Sequence, residues 1–183
     1  MPLQGTGKIM TKWSVFLATA LTLAAGSPAP AATAVYWSAI STSCVPDSLS
    51  IQANRYRSFA DSNTQHQTGN VDRITLVCGV APNPGSPLPN TLSLTYLDST
   101  GNSSNAQSTA ELMRVNRTTA AVSTVAAVNS DTFLTKSVSM GKSPTFSHQL
   151  NFENSYYFVR IVLDRATTAQ DVRAIGVALE SQN

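Results

Sequence analysis

Charge is the first thing this chain has little of. Asp, Glu, Lys and Arg make up 12% of its 183 residues, about half the roughly 25% usual in soluble proteins. The apolar share, 42%, is ordinary. Disorder and coiled coil both call for more charge than this, so neither describes the chain, and an ordinary cytosolic helical protein is disfavoured with them. A membrane anchor is missing too. The uncharged stretch Trp13–Ala25 has thirteen residues, short of the ~20 that span a bilayer, and no later apolar run competes.

The residues of common active sites are equally scarce. Cysteine and histidine each occur twice. Cys44, Cys78, His66 and His148 contain no short-spaced pair, so a structural metal site is not expected, and no Cys-x-x-Cys is present for redox work. No Gly-x-Ser-x-Gly elbow occurs. Gly141-Lys142-Ser143 resembles the end of a phosphate loop, but Lys136 stands where that motif requires glycine. Ten carboxylates are spread along the chain, and no two form the close pair on one face that glycoside hydrolysis uses. Asp98 and Asn102 share a loop whose spacing is that of a hairpin turn rather than of a calcium site. No cofactor or metal is expected.

What is present begins with an address. Lys8 and Lys12 precede Trp13–Ala25; Gly26, Ser27, Pro28 and Pro30 then break any helix before the small triplet Ala32-Thr33-Ala34. This is the layout of a cleavable secretory signal, residues 1–34, with the mature domain spanning 35–183. Met10 would serve equally well as a start. Ser27 follows Leu23-Ala24-Ala25-Gly26 where a lipoprotein would have cysteine, so lipid anchoring is disfavoured. The mature chain keeps ten basic and ten acidic residues and is formally neutral. Arg55 and Arg57 flank Tyr56, and Arg114 lies near Arg117, but no basic stripe exists to neutralise phosphates, so neither nucleic acid nor an anionic membrane is an expected partner.

In an exported chain the even pair Cys44 and Cys78 reads as one disulfide. Between and beyond them the dominant signal is a period of two. Ile74, Leu76 and Cys78 recur at every second position; so do Leu92, Leu94 and Tyr96; Phe146, His148, Leu150 and Phe152; Tyr157, Val159, Ile161 and Leu163; and Ile175, Val177 and Leu179. Turn signals separate them at Pro82–Gly85, Asp98–Asn102, Asn129–Asp131 and Met140–Pro144. Asn105–Val128 is rich in alanine, and Ser108 with Glu111 has capping-box spacing. Its β-branched residues favour two strands around an Asn116–Thr119 turn instead. The expected fold is all-β: an antiparallel sandwich of about eight to ten strands, jelly-roll-like, with one disulfide.

The order of features carries a resemblance. Tyr36-Trp37, Cys44-Val45-Pro46, an isolated Tyr56, Val77-Cys78-Gly79-Val80, Leu94–Asp98 and Gly176–Leu179 together resemble secreted bacterial proteins of unknown function that form jelly-roll-like sandwiches. The likeness spans most of the mature chain, but its motifs are loose. Cys78-Gly79 stands where such proteins often read Cys-Pro, and their extra cysteines are absent. The resemblance implies location and fold, with no activity attached.

The function expected from these readings is an exported, non-catalytic module that binds another protein or a surface glycan, or assembles with copies of itself. A carbohydrate-binding module is the alternative, with Tyr56, Tyr156 and Phe158 as candidate stacking residues. His66 is a further candidate ligand-binding residue, since it sits in the polar Ser62–Gly69 stretch read as a loop. His148, on an apolar strand face, is expected to pack at the core or rim. A small secreted hydrolase is the third reading; it requires His66 or His148 to meet a Ser and an Asp.

Overall fold

Strands with one apolar face need a second layer to bury it, and here they find one another. A computed structural model describes residues 33–182. All of the expected signal except its last two residues lies outside that range. Eleven strands are formed among the described residues: β1 (Ala34–Ile40), β2 (Val45–Pro46), β3 (Tyr56–Ser58), β4 (Thr64–His66), β5 (Ile74–Gly79), β6 (Thr91–Asp98), β7 (Ala106–Asn116), β8 (Val122–Asn129), β9 (Ser139–Lys142), β10 (Ser155–Arg165) and β11 (Val172–Ser181), with a one-turn helix α1 (Ser48–Gln52).

The long strands fall into two antiparallel sheets, β1-β11-β6-β9 and β5-β10-β7-β8. That order is a jelly roll, in which consecutive strands mostly cross between sheets. The β3–β4 hairpin shares an edge of β11 with β1, and β2 lies on β5. Leu92, Leu94 and Tyr96 of one sheet face Ile161, Leu163 and Leu112 of the other, all fully buried. Each such side chain stabilises the fold by about 1.5–3 kcal/mol relative to exposure.

Cys44 leaves β1 through a 3-10 turn (Ser41–Ser43) and bonds Cys78 on β5, 34 residues away. The disulfide therefore fastens the start of β2, where the chain arrives from β1, to its neighbour β5. Asn105–Val128 forms the β7–β8 hairpin, with Asn116 Oδ1 accepting from Thr118 N and Thr119 N in the turn.

Three local expectations are corrected. Phe146–Phe152 is not a strand. The segment keeps its alternating burial, but after β9 Pro144 has no N–H to give a ladder, and a backbone bond from Phe146 N to Asn90 O holds the chain as it crosses between sheets. The period of two reports which side of an extended chain is covered, and it is silent on pairing. Met140–Pro144, read as a turn, instead includes β9. Gly141 is there because a Cβ would lie 2.5 Å from the Phe133 ring, so the residue marks close approach rather than a bend. Finally, Thr64–His66 is not a loop but the buried strand β4. The strand total exceeds the expected eight to ten through the two- and three-residue strands β2, β3 and β4.

Candidate functional site

Register puts a row of polar side chains at one end of the sheet containing β11. Gln65 of β4 is the partner of both Arg57 on β3 and Arg173 on β11. Register partners share a face, so the two arginines flank Gln65 about 10 Å apart, two strand spacings. Above them the connection from β10 to β11 folds over, and with residues 67–70 it closes a cleft of about 470 Å³ lined by Arg57, Gln65, His66, Arg165, Asp171 and Arg173, among others.

The hairpin β3–β4 is held in place from below. The Ser41 hydroxyl lies within hydrogen-bond reach of Thr64 Oγ1, Ser62 O and Ala174 O, which ties β4 and β11 to the turn that precedes Cys44. Arg165 holds the roof. Its guanidinium donates to the backbone carbonyls of Asn70, Gln67 and Gln170, and Gln170 Oε1 accepts from Ala166 N and Thr167 N. Arg165 thus fixes both loops while facing no carboxylate at hydrogen-bond distance among the described residues. Burial, with the neighbouring Arg57 charge, lowers its pKa from the usual arginine value, and Asp171 partly offsets this. Arg173 forks onto Asp171, Nε to Oδ1 2.9 Å. Arg57 has its guanidinium 4.8 Å from the centre of the Phe59 ring and no ion pair among the described residues. Three guanidiniums and one carboxylate leave the cleft positive.

His66 is 2% exposed, and neither ring nitrogen has a hydrogen-bond partner. Burial, then the Arg165 charge, lowers its pKa to about 4. The Asp72 backbone carbonyl favours the proton weakly from close by, without reaching hydrogen-bond geometry, so at neutral pH the ring is uncharged, one nitrogen donating and one accepting. Gln65, 7% exposed, leaves its Oε1 unpartnered. Of the eight buried side-chain atoms without partners among the described residues, five belong to Arg55, Asn63, Gln65 and His66. Buried polar groups are normally matched, so this concentration marks the hairpin as unusual.

The sequence candidates divide. Tyr56 and His66 are register partners, but only His66 lines the cleft; Tyr56 packs on the core. Tyr156 and Phe158 point outward from β10 on the other sheet, as the alternation requires. Tyr156 is exposed, with the Arg117 guanidinium 4.3 Å over its ring, which covers one stacking face. His148 bonds Tyr157 Oη at 2.9 Å, a side chain rather than the backbone, and that hydroxyl also accepts from Asn151 N. Neither histidine is hydrogen-bonded to a Ser or a carboxylate.

Sequence reasoning missed Gln65, Arg165 and Arg173. Arg57 was visible beside Tyr56, but a lone strand arginine has no signature, and Arg165 lies about 100 residues away in sequence. On the outer face of the other sheet, arginines are matched instead: Arg73 Nε meets Asp164 Oδ1 at 2.9 Å, and Arg160 pairs with Glu111. Among the described residues no helix is long and apolar enough to cross a membrane and no group of metal-ligating side chains is assembled. No protein-family model matches the chain, and no curated protein or solved structure matches it.

Proposed function

We propose that this chain is an exported, non-catalytic binding module that captures an anionic ligand in the cleft between the β3–β4 hairpin and the β10–β11 connection. Export is supported by the leader pattern of residues 1–34 and by the disulfide, which oxidising compartments sustain. The observation that carries the reading is the convergence of three guanidiniums, Arg57, Arg165 and Arg173, with the single carboxylate of Asp171 on one cavity. Arg73 and Arg160 on the other sheet meet carboxylates; in the cleft Arg173 meets Asp171, while Arg165 meets carbonyls and Arg57 has no ion pair among the described residues. The test is thermal unfolding in sulfate or phosphate against chloride at matched ionic strength. The midpoint rises with the multivalent anion in the native protein, and the rise is lost in Arg57→Ala. An equal response in the two proteins refutes the reading.

Self-assembly is a second reading, favoured by one feature. Exposed Ile40 and Met140 border a shallow depression of about 410 Å³ on the outer face of the sheet containing β11. Light scattering on the mature chain decides it: a defined oligomer dispersed by Met140→Glu supports assembly, and a monomer at every concentration removes it.

A further inference from the structure

The outermost strands of the two sheets differ in how they are protected. An unpaired edge offers free N–H and C=O groups to any other extended chain, and short length, charge, proline and bulges are what ordinarily deny it. β2 has two residues and ends in Pro46; β3 has three and carries Arg57; β9 has four and carries Lys142. β1 is interrupted by a bulge between Val35 and Trp37, and Asn83 Nδ2 donates to Tyr36 O on it. β8 is different. Its eight residues hold no charge, proline or glycine, and it ends the order β2-β5-β10-β7-β8. Among the described residues, the backbone of 122–128 is hydrogen-bonded to β7 and to nothing else.

The register shows which of its groups are open. Asn116 N donates to Ala121 O. Bonded and non-bonded positions alternate along an antiparallel pair, so Arg114 bonds Ser123, while Val122 and Thr124 turn N–H and C=O away from β7. A bulge at Val125 ends this regular stretch. Side chains follow the same register. Tyr156, Val115 and Val122 form one row across β10, β7 and β8, and Phe158, Met113 and Thr124 form the next, both on the outer face. Tyr156 is 57% exposed and Val122 59%. An apolar row therefore runs to the open edge and stops there.

We propose that β8 pairs antiparallel with β8 of a second copy of this chain, about a two-fold axis at Ser123. The open groups fit that register: Val122 of each copy meets Thr124 of the other, and each such pair exchanges both of its N–H···O bonds. The same axis sets Tyr156, Val115 and Val122 of one copy end to end with Thr124, Met113 and Phe158 of the other, so the row continues across the contact. A second copy fits because the strand is neutral and no like charges meet when it lies against itself. The contact is isologous and closes on itself, joining two five-stranded sheets into one. It is independent of the anion cleft on the other sheet and of the depression between Ile40 and Met140.

The paired stretch is short, so a weak dimer is expected. Sedimentation of the mature protein from about 10 μM to about 1 mM should show a monomer–dimer equilibrium. Val122→Lys abolishes it and Val122→Thr keeps it, and both variants melt close to the native protein because residue 122 is exposed. Cysteine cross-linking reads the register. Ser123 opposes itself at a non-bonded position, where Cα atoms lie about 4.5 Å apart, within disulfide reach. Ser123→Cys should form covalent dimers under mild oxidation at least about tenfold faster than Ala127→Cys, an exposed β8 position that the axis separates from its own copy by roughly 25 Å. A protein that stays monomeric to about 1 mM overturns the pairing. So does equal cross-linking of the two cysteine variants, and so does a dimer that Val122→Lys leaves intact; if Met140→Glu disperses that dimer, assembly belongs to the other sheet.

Discussion

Two buried polar regions of this sandwich behave as opposites. At the end of β6, Asp98 is fully buried, yet its carboxylate accepts from Thr100 N at 2.9 Å, Thr100 Oγ1 at 2.9 Å and Ser130 Oγ at 2.6 Å. Ser130 Oγ in turn accepts from Ser108 N, which closes the turn after β6 against the turn after β8. Tyr96 Oη, Ser108 Oγ and Asp131 Oδ1 are left over around it, but both oxygens of the Asp98 carboxylate are matched, whereas Gln65 Oε1 and both His66 ring nitrogens are not. In the first region the chain itself satisfies the buried carboxylate. In the second the buried polar atoms of Gln65 and His66 are unsatisfied, in residues that border a cavity. Burial of polar atoms is common to both; what separates structure from a candidate site is whether the partners are already inside.

The sharpest ways to break the comparison act on what holds each region. Removing the disulfide by Cys44→Ala with Cys78→Ala has the largest expected effect, a loss of about 4 kcal/mol in the chain-entropy picture. It reaches the cleft more than the Asp98 turn, because Ser41, three residues before Cys44, anchors β4. Denaturant unfolding measures the loss, and hydrogen exchange should rise over residues 55–70 before it rises over 98–108.

Asp98→Ala comes next, at about 3 kcal/mol, since it strands the donors of Thr100 and Ser130 in the interior. Anion-induced stabilisation at the cleft should persist in this variant. A loss under about 1 kcal/mol would mean that the carboxylate does not hold these donors.

Acid should distinguish the regions with an effect of comparable size. His66 has a folded-state pKa lowered to about 4 from a usual value near 6.5, so the unfolded chain binds a proton that the folded protein refuses. Stability is pH-independent from this source above about pH 6.5, falls as pH drops toward 4, and levels below it, a loss of about 3 kcal/mol. His148, whose pKa is also lowered, by burial and then by Arg114, adds in the same direction. Melting temperatures between pH 7 and pH 4 should flatten in His66→Gln, with only the His148 part remaining.

The smallest effect has the opposite sign. Gln65→Met replaces an unmatched buried amide by an apolar side chain of similar length, so the free protein should gain about 1 kcal/mol, where a polar-to-apolar change at Asp98 destabilises. A destabilised Gln65→Met would show that this amide already has a structural role and is not held for a ligand.

How much was legible depends on the range of the interaction. The strands of the core announced themselves, because Ile74-Leu76, Leu92-Leu94 and Val159-Ile161-Leu163 each carry the two-residue period within a few positions of one another. The Asn116 turn and the pair Cys44–Cys78 were also local or forced. Phe146–Phe152 shows the limit, since an extended segment covered on one side but unpaired produces the same period as a strand. The cleft was hardly legible at all. His66 was picked out, but as part of a loop, because Thr64-Gln65-His66 is too short and too polar to look like a strand until β11 lies beside it.

The sequence by itself determined the class of this protein: low charge, alternating apolar residues and a single cysteine pair compel a two-layered β structure with one staple. Only the tertiary structure decided the jelly-roll order, the marriage of Gln65 to Arg57 and Arg173, and the arrival of Arg165 over them. The reason is physical. Periodicity is a property of neighbours along the chain, whereas register and cavity depend on which distant backbone edges pair, and that is settled by the packing of the two sheets as a whole.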